Sequence, residues 1–103
     1  ERVNELIKRE LVLLLSKETK DPRLQEVVIT DVIVTRDLTS AKVFFSVEES
    51  AQKSVAVLLN KASGFFRKSL SKILDLRHTP SLNFIYDTAP NAGARMEDLL
   101  SKI

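Results

Sequence analysis

Lys61, Arg67, Lys68, Lys72 and Arg77 stand within residues 61–78, a stretch that holds one carboxylate, Asp75. Five cations against one carboxylate give the segment a net charge of +4. The rest of the chain, with eleven cations and thirteen carboxylates, nets −2, so one segment carries all of the positive excess in a chain of net charge +2. The same segment contains Ser63-Gly64, which interrupts a helical pattern that resumes beyond it. Taken as one helical run, residues 61–74 place Lys61, Lys68 and Lys72 in a narrow arc, with Phe66, Leu70, Ile73 and Leu74 opposite. A glycine-containing turn lets another backbone come close, and the N–H groups after it point outward. Lysines beside such a turn suit a phosphodiester backbone, with Arg67 and Arg77 flanking it. The plain alternative is that the lysines are an amphipathic helix's solvated face and that Ser63-Gly64 bends the chain for packing.

Three aromatic residues offer a second kind of contact. Phe44, Phe65 and Tyr86 have flat faces on which bases stack, although aromatic side chains more often fill cores. On a continuous helix Phe65 would share the lysine arc. Catalysis finds little to work with. His78 is the only histidine, there is no cysteine, and two glycines cannot make a phosphate loop. Glu48 and Glu49 are adjacent and on a strand would point to opposite faces. The expectation is a protein with no enzymatic activity, no cofactor and no metal. Asp21 and Asp37 read as turn formers whose carboxylates accept bonds from nearby backbone. Arg23 is placed to brace its own loop through Asp21 or a backbone carbonyl.

These residues need a scaffold, and the apolar periodicity outlines one. Val3, Leu6, Ile7, Leu11, Leu14 and Leu15 recur at helical spacing and predict a helix over residues 3–17. Pro22 ends it, and a loop follows. β-branched residues crowd 26–35, and Ala41, Val43, Phe45 and Val47 alternate with Lys42, Phe44, Ser46 and Glu48. The pair predicts a hairpin turning through residues 37–40. Ser50 is placed to cap a second helix with Ala51, Val55, Leu58, Leu59 and Ala62 as its buried stripe. After the kink a third helix runs to about Leu76. Leu82, Phe84 and Tyr86 then alternate as a third strand, and Met96, Leu99, Leu100 and Ile103 predict a last amphipathic helix. On the first helix Glu5 and Arg9 are spaced for an intrahelical ion pair.

The order α-β-β-α-(kink)-α-β describes an α+β domain, a three-stranded sheet with helices packed on one face. The 103 residues, 44% hydrophobic, match the size of one modest core, so residues 1–103 read as a single domain. No apolar run approaches the roughly 20 residues that span a bilayer, and Leu11 to Leu15 has only five. The expectation is a cytoplasmic domain with no membrane partner.

Several short motifs occur in a telling order: Lys20-Asp21-Pro22-Arg23 after the first helix, Asp37-Leu38 before Ala41-Lys42-Val43, and Ala62-Ser63-Gly64 followed by Phe66-Arg67 and Leu70. Leu76-Arg77 with Pro80, then Leu82, Phe84 and Asp87, complete the set. Over residues 2–103 the chain resembles the ribosome-binding factor A family. The resemblance implies a type II KH-like fold and a bacterial factor that binds the small (30S) ribosomal subunit and its 16S rRNA late in maturation. It also implies a role in pre-rRNA processing and in adaptation to cold, as a monomer, with ribosomal proteins and an assembly GTPase as further partners. The GxxG turn of typical KH domains is replaced here by Ala62-Ser63-Gly64. The RNA-binding residues it points to are Lys61, Ala62, Ser63, Gly64, Arg67, Lys68, Lys72 and Arg77, with Lys20 and Arg23 behind them. A protein-interaction module of the same fold, without direct RNA contact, is the competing reading. It predicts salt-insensitive binding through an apolar patch.

Overall fold

The computed structural model describes residues 2–17, 21–74 and 79–88. The first helix, α1 (Arg2–Lys17), turns Ile7, Leu11 and Leu15 inward at helical spacing, and all three are buried. Val12 and Leu13 stay exposed, and Glu5 and Arg9 form no ion pair among the described residues. Where a loop is expected, a short helix α2 (Pro22–Gln25) forms. Proline suits the first helical position, and the Asp21 carboxylate caps the turn by accepting from the Arg23 N–H at 3.0 Å.

Strands β1 (Val28–Val34) and β2 (Ser40–Ser46) pair antiparallel, and β3 (Ser81–Tyr86) pairs parallel to β2, which is therefore central. The β1–β2 register shifts between Ile29 and Asp31, so Thr30 is a bulge residue. The bulge changes the strand's phase. Ile29 opposite Phe45 and Val32 opposite Val43 are three residues apart, yet both are buried. The bulge is tied at both ends: the Thr30 carbonyl accepts from Lys8 Nζ at 3.3 Å, and its hydroxyl donates to Asp87 Oδ2 at 2.7 Å.

The hairpin loop spans residues 35–39, slightly earlier than expected. Thr35 N–H donates to the Ser40 carbonyl at 2.9 Å, and Leu38 adopts a left-handed φ of 63°. That conformation costs a residue with a Cβ about 1–2 kcal/mol. Asp37 compensates, its Oδ1 accepting from the Thr35 and Thr39 hydroxyls at 2.8 Å each and from the Thr39 N–H at 3.2 Å.

Beyond β2 a 3-10 turn (Glu49–Ala51) leads directly into α3 (Gln52–Lys61). Ser50 lies inside that turn and caps nothing, correcting the expected N-cap: the 3-10 bond from Ala51 N–H to the Glu48 carbonyl, at 2.9 Å, pre-winds the chain instead. Val55 and Leu59 of α3 and Phe66 and Leu70 of α4 (Ser63–Leu70) are buried, and α1 meets β1 while α3 and α4 meet β3. All contribute to one core with Ala41, Val43, Phe45, Leu82 and Phe84, so the helices share one face of the sheet. Each fully buried aliphatic or aromatic side chain there contributes about 1.5–3 kcal/mol. Helix α4, the one expected to run to about Leu76, ends at Leu70 and gives way to turns over 71–74, which leaves Ile73 53% exposed instead of inside. Apart from the short α2, the order α-β-β-α-α-β on a β1-β2-β3 sheet is that of a type II KH-like domain. The expected C-terminal helix lies outside the described residues.

Candidate nucleic-acid interface

The bend between α3 and α4 is centred on Ala62, with φ −90° and ψ 4°, one residue before the expected Ser63-Gly64. Its N–H donates to both Leu58 and Leu59 carbonyls at 3.1 Å, closing α3, and its carbonyl accepts from Phe66 N–H at 3.1 Å, opening α4. No side chain caps α4. The N–H groups of Ser63, Gly64 and Phe65, in its first turn, therefore fall outside the helix's own ladder. Gly64 is exposed, its φ is not positive, and a Cβ built on it would meet nothing within 4 Å.

Lys61 is the last residue of α3, and Lys68 stands four residues after Gly64 on the outward ridge of α4. Lys72 follows in the turn, where Lys72 N–H to Ser69 and Ile73 N–H to Leu70 carbonyl bonds, 3.2 and 2.9 Å, keep the chain winding. The single arc expected over 61–74 is thus divided over two helices and a turn, because Ala62 breaks the helix and α4 stops at Leu70. All three lysines are exposed, and among the described residues none has a carboxylate partner.

The arginines differ. Arg67 Nε donates to the Thr79 carbonyl at 3.0 Å, bracing the segment that leads into β3. Arg23 is paired with Asp21 through Nε at 3.1 Å and Nη2 at 2.8 Å. That side-chain bond, followed by the Arg23 N–H, holds the Asp21 carboxyl below its usual value, and the same side-chain bond, followed by the Asp21 charge, raises the Arg23 guanidinium. Of the two accounts of Arg23, the loop brace is the one its geometry displays. Lys20 and Arg77, with His78, lie outside the described residues.

Asn60 carries a role with no signature in the sequence. Its side-chain NH2 donates to the Phe84 carbonyl at 3.0 Å and its Oδ1 accepts from the Phe84 N–H at 2.9 Å, while Nδ2 also reaches the Ala56 carbonyl at 3.0 Å. The last residue but one of α3 is thereby pinned to the outer edge of β3, and with it the position of the bend. Glu48 and Glu49 lie beyond the end of β2 rather than on the strand, and both are exposed to at least an intermediate degree. Among the described residues no three His, Cys, Asp or Glu side chains gather as metal ligands, and no helix is long and apolar enough to cross a membrane.

The fold and its basic helix–helix bend define a KH-like domain in which Ala62-Ser63-Gly64 stands where a GxxG turn would be. The family profile described as ribosome-binding factor A matches residues 1–100. A relative named ribosome-binding factor A from Vesicomyosocius okutanii is 62% identical over 103 residues, covering 100% of this chain and 90% of its own. The chain belongs to the ribosome-binding factor A family. The crystal structure of ribosome-binding factor A from Thermus thermophilus superimposes with a TM-score of 0.76 at 20% identity, over 85% of this chain and 96% of that one. A homology model of the Thermus thermophilus protein, fitted into a cryo-EM map of a 30S–RbfA complex, aligns with a TM-score of 0.66 at 23% identity, over 84% and 93% of the two chains.

Proposed function

We propose that this domain binds the small ribosomal subunit through its 16S rRNA during late maturation and pre-rRNA processing, and that it supports ribosome assembly in the cold. It works in the cytoplasm as a monomer and performs no chemistry, holding an immature rRNA conformation or excluding premature partners. Ribosomal proteins and an assembly GTPase are further partners. The observation that carries this reading is the bend itself, where Lys61 and Lys68 border an exposed Gly64 that close packing does not require, with Lys72 following beyond α4 and none of the three lysines having a carboxylate partner among the described residues. Such a surface reads phosphates and backbone shape, not base sequence. The family relationship and the 30S complex of the Thermus thermophilus protein support the small subunit as the target.

The test is the double variant Lys68→Glu/Lys72→Glu, measured by co-sedimentation with purified small subunits. Association should fall at least tenfold while the thermal midpoint stays close to wild type, because exposed substitutions usually change stability by no more than about 0.5 kcal/mol. The slope of log affinity against log salt should flatten by about two, one for each phosphate that loses its lysine. Wild-type association would overturn the assignment.

Exposed Val12 and Leu13 favour a second reading, in which α1 contacts protein. Val12→Ser/Leu13→Ser would then weaken subunit association with no change in salt slope.

A further inference from the structure

Phe65 directly follows Gly64 in α4 and is 49% exposed. Single exposed apolar side chains are ordinary on protein surfaces, so exposure alone decides nothing. The way the ring is held adds more. It meets Phe66 edge to face, with centroids 5.6 Å apart and planes at 65°. Phe66 is 1% exposed and packs in turn on Phe84 of β3, with centroids 5.7 Å apart. Phe65 is thus the outer member of a row of three aromatic rings rooted in the core.

Its neighbours are cationic. Lys68 stands three residues further along the same helix, close enough to share its surface, and Lys61 lies just across the bend. Neither has a carboxylate partner among the described residues. A core-anchored ring half turned to solvent between cations matches one ligand chemistry, a nucleobase with phosphates on either side. Phe44 and Tyr86 offer no such site. Phe44 and Tyr86 are half-buried on β2 and β3, apart from the helix that carries Lys68 and the bend that follows Lys61.

We infer that Phe65 is a stacking platform for one unpaired base of RNA, with Lys61 and Lys68 holding the adjoining phosphates. The inference rests on the RNA-binding reading above and sharpens it, because a stacked base must be unpaired and the bend then discriminates against continuous duplex. Stacking tolerates any base, so the site selects for the absence of pairing rather than for sequence.

The chain has no tryptophan, so Phe65→Trp places a single indole at the site. In complex with purified small subunits its fluorescence should be quenched, with association close to wild type. Phe65→Leu keeps apolar bulk but removes the π face. Its association should fall about tenfold, as expected for the loss of one stacked base, with an unchanged salt slope and a thermal midpoint matching the Trp variant. Leu-variant binding at wild-type strength overturns the inference, as does a folded Trp variant that fails to bind or binds without quenching. If Lys68→Glu/Lys72→Glu loses association while Phe65→Leu does not, stacking falls and phosphate recognition stands. If both bind as wild type, both fall.

Discussion

Gly64 is the second residue of α4, has no positive φ, and faces open space where its Cβ would be. Glycine inside a helix costs about 0.5–1 kcal/mol relative to alanine, somewhat less near an end. Gly64→Ala should therefore raise stability by about 0.5 kcal/mol in urea unfolding and weaken small-subunit association, because the new methyl stands where an incoming backbone would rest. Unchanged association would remove Gly64 from the contact surface. The loop carboxylates act through charge. The Thr39 and Thr35 hydroxyls, in that order, then the Thr39 N–H, hold Asp37 below the usual carboxylate value. A lowered folded value means that the ionised form favours the folded state, an advantage present above the ordinary value of about 3.9 and lost as pH falls through the folded value. Asp37→Ala should thus lower the urea midpoint at about pH 7, and the gap from wild type should narrow below about pH 4.

At the scale of elements, α3 is fixed to the sheet by Asn60, whose carboxamide replaces a missing neighbouring strand for the Phe84 N–H and carbonyl. Asn60→Ala removes both partners from a half-buried edge and should cost about 1–3 kcal/mol in chemical unfolding. A loss below about 0.5 kcal/mol would show that water replaces the amide without penalty. The same contact places the α3–α4 bend, so the variant should also bind subunits less tightly at temperatures where it stays folded. The Thr30 bulge sets β1's phase in a comparable way, since Lys8 from α1 and Asp87 after β3 both bond to that residue. Arg67 does for the entry to β3 what Asn60 does for its middle. Its hydrogen bond to Thr79 makes Arg67→Ala a test of stability as much as of binding.

For the whole molecule, one face of the sheet is covered by helices, and the basic bend lies between the two helices that cover β3. Crosslinks initiated from Lys61 and Lys68 on purified small subunits should map to 16S rRNA. Crosslinks to ribosomal proteins alone would favour the protein-interaction reading instead. Much of this architecture is legible in the chain. The 3.6-residue rhythm of Ile7, Leu11 and Leu15, the alternation of Ala41, Val43 and Phe45, and the pair Phe66 and Leu70 each report local burial, and each set is buried in the structure. The charge imbalance over 61–78 and the break near Gly64 are equally local.

What the sequence settled by itself was therefore the kind and order of the main helices and strands, most of the core, and the concentration of positive charge within residues 61–78. Only the tertiary structure decided that Ile29 and Val32 share a face across a bulge, that Asn60 serves as a strand edge, that Arg67 braces β3, and that Lys61, Lys68 and Lys72 stand on separate pieces of chain. Periodicity and composition reflect each residue's own exposure to water. Bulge phase and side-chain pairing arise between residues such as Asn60 and Phe84 or Thr30 and Asp87, 24 and 57 positions apart, and come into being only once the helices close over the sheet.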